Sequence, residues 1–403
     1  MFYFLKDLDG WYGPFRLFGY VTSRTVLAAL TAFALMMVVM PPLIRWLKRK
    51  KFGEQGSKNE AAVVDAMRNA KAGTPTMGGL GIIACICASV LLWCNPLELR
   101  TWLLLGGMLG FGLVGYLDDR TKIFKGAKGI SSRSKLAIQL VIGLLCGGAM
   151  YWYNAHNLAA LAPKLVDTQI GVIQVFKHIS DTRDAAGNFE QFLVPLGVHE
   201  LAFPLLPLQF AVNLGLWWIL WSVLVTMACA NAVNFTDGMD GLASGTMLIA
   251  ALAFMAIAYL TSRVDTTEFL KVLYVPGGQE VAVFCAAVAG ACLGFLWFNG
   301  APAEVFMGDT GSQALGGFLA LAALNTRQEF LVLLVGFVFF IEALSVLLQV
   351  ASYRLRNKKR IFLCAPLHHH FQYKGWPESK IVLRFWIVAA LAALLALSTL
   401  KLR

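Results

Sequence analysis

Apolar runs recur along this chain at a length that only a bilayer explains. A helix needs about 20 apolar residues to cross the ~30 Å hydrocarbon core. Ten stretches meet or approach that length, at 24–46, 76–94, 101–117, 136–155, 205–232, 241–261, 281–298, 311–326, 329–352 and 381–400. The third and eighth are short and contain glycine. Lipid offers no partner to backbone N–H and C=O groups, so each run is expected to be helical. Only 14% of the 403 residues are charged, against about a quarter in soluble domains. The expected fold is therefore all-α: a polytopic integral membrane protein of about ten transmembrane helices, a single domain over residues 1–403.

A net charge of +11 would suit a nucleic-acid binder, but its placement argues for a membrane surface instead. Lysine and arginine concentrate in three segments. The first holds Arg45, Lys48, Arg49, Lys50, Lys51, Lys58, Arg68 and Lys71. The second holds Arg120, Lys122, Lys125, Lys128, Arg133 and Lys135, and the third Arg354, Arg356, Lys358, Lys359, Arg360, Lys374 and Lys380. With ten spans these segments share one side, which the positive-inside rule makes cytoplasmic, leaving both termini periplasmic. A chain buried mostly in lipid has the bilayer as its partner, and no nucleic acid is expected.

The eight cysteines fall mostly within apolar spans and read as small core residues; none forms a CxxC pair. Lys6, Asp7 and Asp9 precede a weakly apolar stretch without a small-residue cleavage site, so the first span is expected to be retained. Pro41 and Pro42 late in that span predict a kink or an early end. The stretch 156–203, outside by the span count, alternates polar residues with VIQVF and FLVPLGV and predicts a hairpin-like insertion at the interface. The remaining polar loops are short, so a site must be assembled from the ends of spans.

Five aspartates lie at such ends on the basic side: Asp118 and Asp119 in GYLDDRTK, Asp237 and Asp240 in NAVNFTDGMDGLA, and Asp309 in FMGDTGS. Asn231, Asn234, Asp237 and Asp240 recur every third residue, a spacing that keeps side chains on one helical face. The alternative is an Asp-Gly turn with a helix cap. Asp118 and Asp119 close the third span, where adjacent carboxylates repel and the helix dipole disfavours them, so a cation or Lys122 must compensate. Asp309 precedes the eighth span within Gly-Asp-Thr-Gly-Ser, and a glycine-flanked helix start suits a phosphate as well as a cap. Phe306 can stack on a base or anchor the interface. Lys71 and Thr76 in KAGTPTMGG can cradle phosphate, although the GKS/T element of a P-loop is missing. Lys135 reads as a phosphate contact or a basic anchor. His368, His369 and His370 lack zinc spacing, since helical ligand pairs want i,i+4; with Arg360 and Lys374 they suit phosphate oxygens or anionic lipid. Hard cations such as Mg²⁺ take oxygen ligands, typically carboxylates and substrate phosphates. The set therefore suits phosphoryl or phosphosugar transfer between a soluble nucleotide and a lipid acceptor.

Taken together, the motifs resemble the phospho-N-acetylmuramoyl-pentapeptide transferase family, within the polyprenyl-phosphate N-acetylhexosamine-1-phosphate transferases. KAGTPTMGG, GYLDDRTK, SSRSKLAIQ, NAVNFTDGMDGLA, FNGAPAEVFMGDTGS and APLHHHFQYKGWPESKIVLRFW follow in family order across nearly the whole chain. PLHHHF followed by KGWPE points to the muramoyl branch, while the long 156–203 stretch and an extended N-terminus depart from it. The resemblance implies an inner-membrane enzyme that moves phospho-MurNAc-pentapeptide from UDP-MurNAc-pentapeptide to undecaprenyl phosphate, giving lipid I and UMP, with Mg²⁺ as cofactor. It is compatible with a homodimer. It also implies Asp309 as the Mg²⁺ ligand and Asp118 as the base acting on the lipid phosphate, with Asp119 assisting. Asn231, Asn234, Asp237, Asp240, Lys71, Thr76, Asn299 and Phe306 would contact uridine or sugar phosphate. His368, His369, His370, Lys122 and Lys135 would contact diphosphate. Two rival readings are a GlcNAc-1-phosphate transferase and a cation-coupled transporter, although a transporter's acids belong at mid-bilayer.

Overall fold

A computed structural model describes residues 1–50, 73–125, 129–161, 165–170, 172–184 and 186–402. Thirteen helices are described: α1 (Val21–Arg49), α2 (Gly79–Trp93), α3 (Leu99–Lys125), α4 (Ser132–Leu161), α5 (Trp217–Thr236), α6 (Leu242–Thr261), α7 (Val264–Leu270), α8 (Gln279–Asn299), α9 (Gly308–Asn325), α10 (Leu331–Val335), α11 (Phe337–Leu355), α12 (Leu367–Tyr373) and α13 (Glu378–Thr399). Eight of them, α1, α3, α4, α5, α6, α8, α11 and α13, are long and apolar enough to cross a membrane. The chain is thus a multi-pass, mostly helical membrane protein.

Two helices matched to expected spans fall outside that set. The first, α2, has 15 residues, about 22 Å of helix, and begins only after the loop that enters the site. The second, α9, is buried from Thr310 to Asn325. It lies at the centre of the bundle against α3 and α5 and meets no lipid, so it needs less hydropathy than an outer span.

Several expected boundaries move for identifiable reasons. The third span, read as 101–117, continues as α3 to Lys125, so Asp118 and Asp119 sit within a helix instead of closing one. Their charges are met by Lys122 one turn on and by donors at the start of α9, which removes the reason to stop there. The fifth starts at Trp217, not 205, because Pro204, Pro207 and Gly215 hold the approach in a short 3₁₀ turn and a β-bridge. The ninth breaks at Gly336 into α10 and α11. Pro41 and Pro42 do not end α1; both are exposed, so their rings face outward from the bundle and the helix runs on to Arg49.

The insertion is more than a hairpin. Strands β1 (Leu165–Ile170), β2 (Ile173–Arg183) and β3 (Phe189–Leu196) form an antiparallel sheet in the order β1-β2-β3, with Val175 opposite Pro195 and His178 opposite Phe192. Asp184 closes the β2–β3 turn by accepting from Ala186 N (2.9 Å) and Asn188 N (2.8 Å). A short pair, β4 (Glu200–Leu201) with β5 (Val212–Asn213), leads into α5. The sheet and the last turns of α4 and α9 lie at one end of the bundle. The starts of α2, α4 and α9 and the ends of α3, α5 and α8 gather at the other.

Candidate active site

That second end brings the acids together around the first turn of α9. Asp309 Oδ2 lies 2.8 Å from Lys135 Nζ and 3.1 Å from Lys122 Nζ. Lys122, one turn after Asp118 on α3, also pairs with Asp118 Oδ2 at 2.9 Å, and Lys135 stands 3.8 Å from the same oxygen. The remaining oxygen of Asp309 accepts from Asn234 Nδ2 (2.9 Å), which also donates to Ser312 Oγ (2.9 Å). Asp118 Oδ1 is occupied by Ile130 N (2.8 Å), tying the start of α4 to the end of α3. Four helices, α3, α4, α5 and α9, thus converge on two carboxylates and two ammonium groups.

Asp119 has a different setting. It is 3% exposed, and both its oxygens face the start of α9, accepting from Asp309 N (3.1 Å), Thr310 N (2.9 Å) and Thr310 Oγ1 (2.7 Å). A carboxylate there answers the unpaired amides and positive dipole end of the helix. Its neighbours explain two glycines. A Cβ on Gly115 would stand 2.0 Å from Asp309 O, so α3 and α9 can touch here only without a side chain. Gly308 has φ +73°, and a Cβ there would press on Asp119 Oδ2 and Thr76 Oγ1. Thr76 is therefore adjacent to the cluster. Its loop is fastened by Phe306 N to Pro75 O (2.8 Å), Gly78 N to Phe306 O (2.8 Å) and Gly79 N to Met307 O (2.9 Å). Lys71 lies outside the described residues.

The polar series of the fifth span does not stay on one face. The helix ends at Thr236, so only Asn231 and Asn234 share it. Asn231 points deeper, donating to Gln139 Oε1 (2.9 Å), while Gln139 Nε2 bonds Gln313 Oε1 (2.7 Å), an amide layer beneath the acids. Asp237 caps the helix end, half-buried. Asp240 turns away to accept from Ala303 N (3.1 Å), and its own N–H donates to Glu378 Oε1 (2.8 Å). Asn299 stitches the same region, accepting from Gly241 N (3.0 Å) and donating to Val305 O (2.8 Å). These two residues hold the turn and the 300–307 loop in place. Phe306, half-buried, sits on that loop.

The histidines point three ways, as consecutive helical residues must. His368 is fully buried: its N–H donates to Glu342 Oε1 (3.1 Å), its Nδ1 lies 3.2 Å from Glu342 Oε2, and its Nε2 faces Gly238 of the Asp-Gly turn. His369 Nδ1 meets Gln372 Oε1 at 2.7 Å. His370 Nδ1 accepts from Leu363 N (3.1 Å), and partial burial with the Lys374 charge pushes its pKa down, keeping the ring neutral as that bond requires.

A family model described as glycosyl transferase family 4 matches residues 101–327, more than half of the chain. Proteins named phospho-N-acetylmuramoyl-pentapeptide-transferase match end to end. That of Thermodesulfovibrio yellowstonii is 41% identical over 99% of both chains, that of Solidesulfovibrio magneticus 41% over 100% of both, and that of Bartonella quintana 39% over 100% of both. The chain belongs to the phospho-N-acetylmuramoyl-pentapeptide transferase family. Its members are transferases by name, which places the two-sided cluster of acids and lysines in an enzyme and not in a transporter.

Four residues of this transferase site are not singled out from the sequence: Gln139 and Thr310, inside quoted motifs, and Gln313 and Glu342, outside them. The amides had a signal in their spacing. Gln139 is four residues after Lys135 and Gln313 four after Asp309, one helical turn below each charged group. Glu342 lies in an apolar span with nothing local to mark its partner. The donor set also suits Mg²⁺ in kind: Asp309 and Asp118 offer carboxylate oxygens, and the two ammonium groups drawn to them show where positive charge is favoured. Among the described residues, no group of three or more His, Cys, Asp or Glu forms a ready-made metal site, so substrate oxygens would have to complete the shell.

Proposed function

We propose that the enzyme transfers phospho-MurNAc-pentapeptide from UDP-MurNAc-pentapeptide to undecaprenyl phosphate, forming lipid I and releasing UMP. The observation that carries this reading is Asp309, fixed at the first turn of a buried helix and shared by Lys122 and Lys135 beside Asp118. Asp309 would hold Mg²⁺, with substrate oxygens completing its shell. When bound, that ion would neutralise phosphate charge and orient the diphosphate.

The protein's own groups account for the rest. An oxygen of the lipid phosphate attacks the β-phosphorus of the donor; the bond to the bridging oxygen breaks, and UMP leaves with the electron pair. A phosphate monoester is largely ionised near neutral pH. Asp118 therefore removes a residual proton or orients the attacking oxygen. Lys122, the more exposed of the two lysines, would turn from carboxylate to phosphate, while Lys135 stays with Asp309. Asp119 fixes the start of α9 and with it Asp309. Phe306 would stack on the uracil and Asp237 would hydrogen-bond the uridine. His368 faces the same turn through Gly238. Attack is direct, with no aspartyl-phosphate.

In this reading the lysine- and arginine-rich face is the cytoplasmic side of the inner membrane, where the soluble donor is. Purified enzyme given UDP-MurNAc-pentapeptide and undecaprenyl phosphate should release UMP only with Mg²⁺. Turnover with UDP-GlcNAc alone would assign it to GlcNAc-1-phosphate transfer. A phosphosugar trapped on Asp118 would overturn the direct route.

A further inference from the structure

At the opposite end of the bundle lies a pocket that the transfer reaction does not use. Arg100 at the start of α3, Asn154 and Asn157 near the end of α4, the Gly197–Val198 corner after β3, Tyr274 and Arg327 line a cavity of about 20 Å³. Every charged side chain on this lining is cationic.

Both guanidinium groups are buried, each 4% exposed. Arg100 is largely satisfied, donating from Nε to Pro276 O (3.0 Å) and from Nη1 to Asn325 Oδ1 (3.0 Å). Arg327 is not. Its Nη1 and Nη2 have no hydrogen-bond partner among the described residues, and its guanidinium rests over the Trp218 ring at 5.2 Å. No described carboxylate lies within ion-pair distance of it; Glu200 and Glu329 act on it from further away. Glu200 is committed elsewhere, to Val198 N, His199 N (3.0 Å) and Asn213 Nδ2 (3.3 Å). Burial pushes the Arg327 guanidinium down to about 10, still charged at neutral pH. A buried, charged group with open donors calls for an acceptor.

We propose that this pocket binds a small monovalent anion, a halide such as chloride, held by Arg327 and Arg100. Its size limits the occupant and the open guanidinium donors select its charge. A cavity needs about 10–15 Å³ to hold one water, so this one takes a monatomic anion and has no room for a lipid headgroup or nucleotide. The anion would join the sheet corner at Gly197–Val198 to the start of α3 and the ends of α4 and α9, fixing the insertion on the bundle.

The test is thermal unfolding of the full chain in detergent, with potassium gluconate exchanged for chloride at constant ionic strength. Chloride should raise the apparent Tm saturably, by about 1–3 °C. Arg327→Gln should abolish the response. Asn157→Asp, which brings a carboxylate to the pocket, should carry the raised Tm in gluconate and gain nothing from chloride; it keeps the test open if Arg327→Gln does not fold. Bromide soaked into crystals should give an anomalous peak between Arg100 and Arg327. A Tm indifferent to chloride, an undiminished response in either variant, or no bromide peak there would overturn the proposal.

Discussion

Asp118 and Asp119 are neighbours in sequence with opposite surroundings, so replacing each by asparagine should give opposite phenotypes. Asp119 accepts three hydrogen bonds, from Asp309 N at 3.1 Å, Thr310 N at 2.9 Å and Thr310 Oγ1 at 2.7 Å. Asparagine keeps one oxygen for Asp309 N and can donate to the Thr310 hydroxyl, but its amide NH₂ meets the Thr310 N–H donor to donor. One charge-assisted bond at about 1.5–3 kcal/mol is lost, and the missing charge at the α9 dipole adds about 0.3–1 kcal/mol. The sum is about 2–4 kcal/mol. For a chain of this size that is an apparent Tm lowered by roughly 2–5 °C at fixed scan rate. Asp118 differs. Its Oδ2 partner Lys122 is 41% exposed, so that pair contributes little stability. Asp118→Asn should leave Tm within about 2 °C while turnover falls about 10²–10⁴-fold, the range of a general base. Tryptophan fluorescence on heating and UMP release, measured on both variants, decide the matter. Equal Tm losses, or a native Tm in Asp119→Asn, would refute the division of roles.

Gly115→Ala drives a Cβ to 2.0 Å from Asp309 O and should cost about 1–3 kcal/mol or more, with loss of activity as α9 moves. Gly106→Ala, nine residues back on α3 with nothing within 4 Å, should keep activity and match or exceed the native Tm. His370 has its pKa lowered by partial burial and Lys374, so its bond from Leu363 N is intact above the ordinary histidine pKa near 6.5. The bond is lost as pH falls through the lower folded value. Amide exchange at Leu363 should therefore accelerate only under mild acid, and His370→Phe should show fast exchange at every pH.

Most of the fold was legible because lipid permits so little. Ten apolar runs give ten helices or helix pairs, α10 with α11 counting as one. The misplaced edges fall where a side chain answers a problem that local pattern treats as unsolved. Asp118 and Asp119 looked like a helix end because their compensation comes from Lys122 and from the first turn of α9, 190 residues away. The start of α5 was obscured by apolar residues in a segment shaped by Pro204, Pro207 and Gly215. In the site, the acids were visible as residues but their partition was not. Asn231 and Asn234 stand three residues apart, yet one belongs to an amide layer and the other to Asp309. Asp240 and Asn299, expected beside substrate, are engaged with backbone groups of the adjoining loop. Only tertiary contacts make these assignments.

The two lysines complete the argument, because they share a carboxylate but not a setting. Asp118 and Asp309 face two ammonium groups while Asp119 is turned to the amides at the start of α9, so no ammonium is open to phosphate until one lysine leaves its carboxylates. Lys135 is 15% exposed and held from two sides, by Asp309 Oδ2 at 2.8 Å and Asn234 Oδ1 at 3.4 Å. Lys122 is 41% exposed, on the outer turn of α3, and able to swing. Lys135→Met should therefore act on the fold, leaving Asp309 short of a counter-charge at a cost of about 1.5–3 kcal/mol. Lys122→Met should spare Tm and raise the KM for the nucleotide donor. The native KM should climb with salt over the range where the Debye length shrinks from about 10 Å towards 3 Å, and the variant's should climb less. If Lys122→Met loses stability while keeping its donor KM, Lys122 is a strut, and phosphate is met by Lys135 alone.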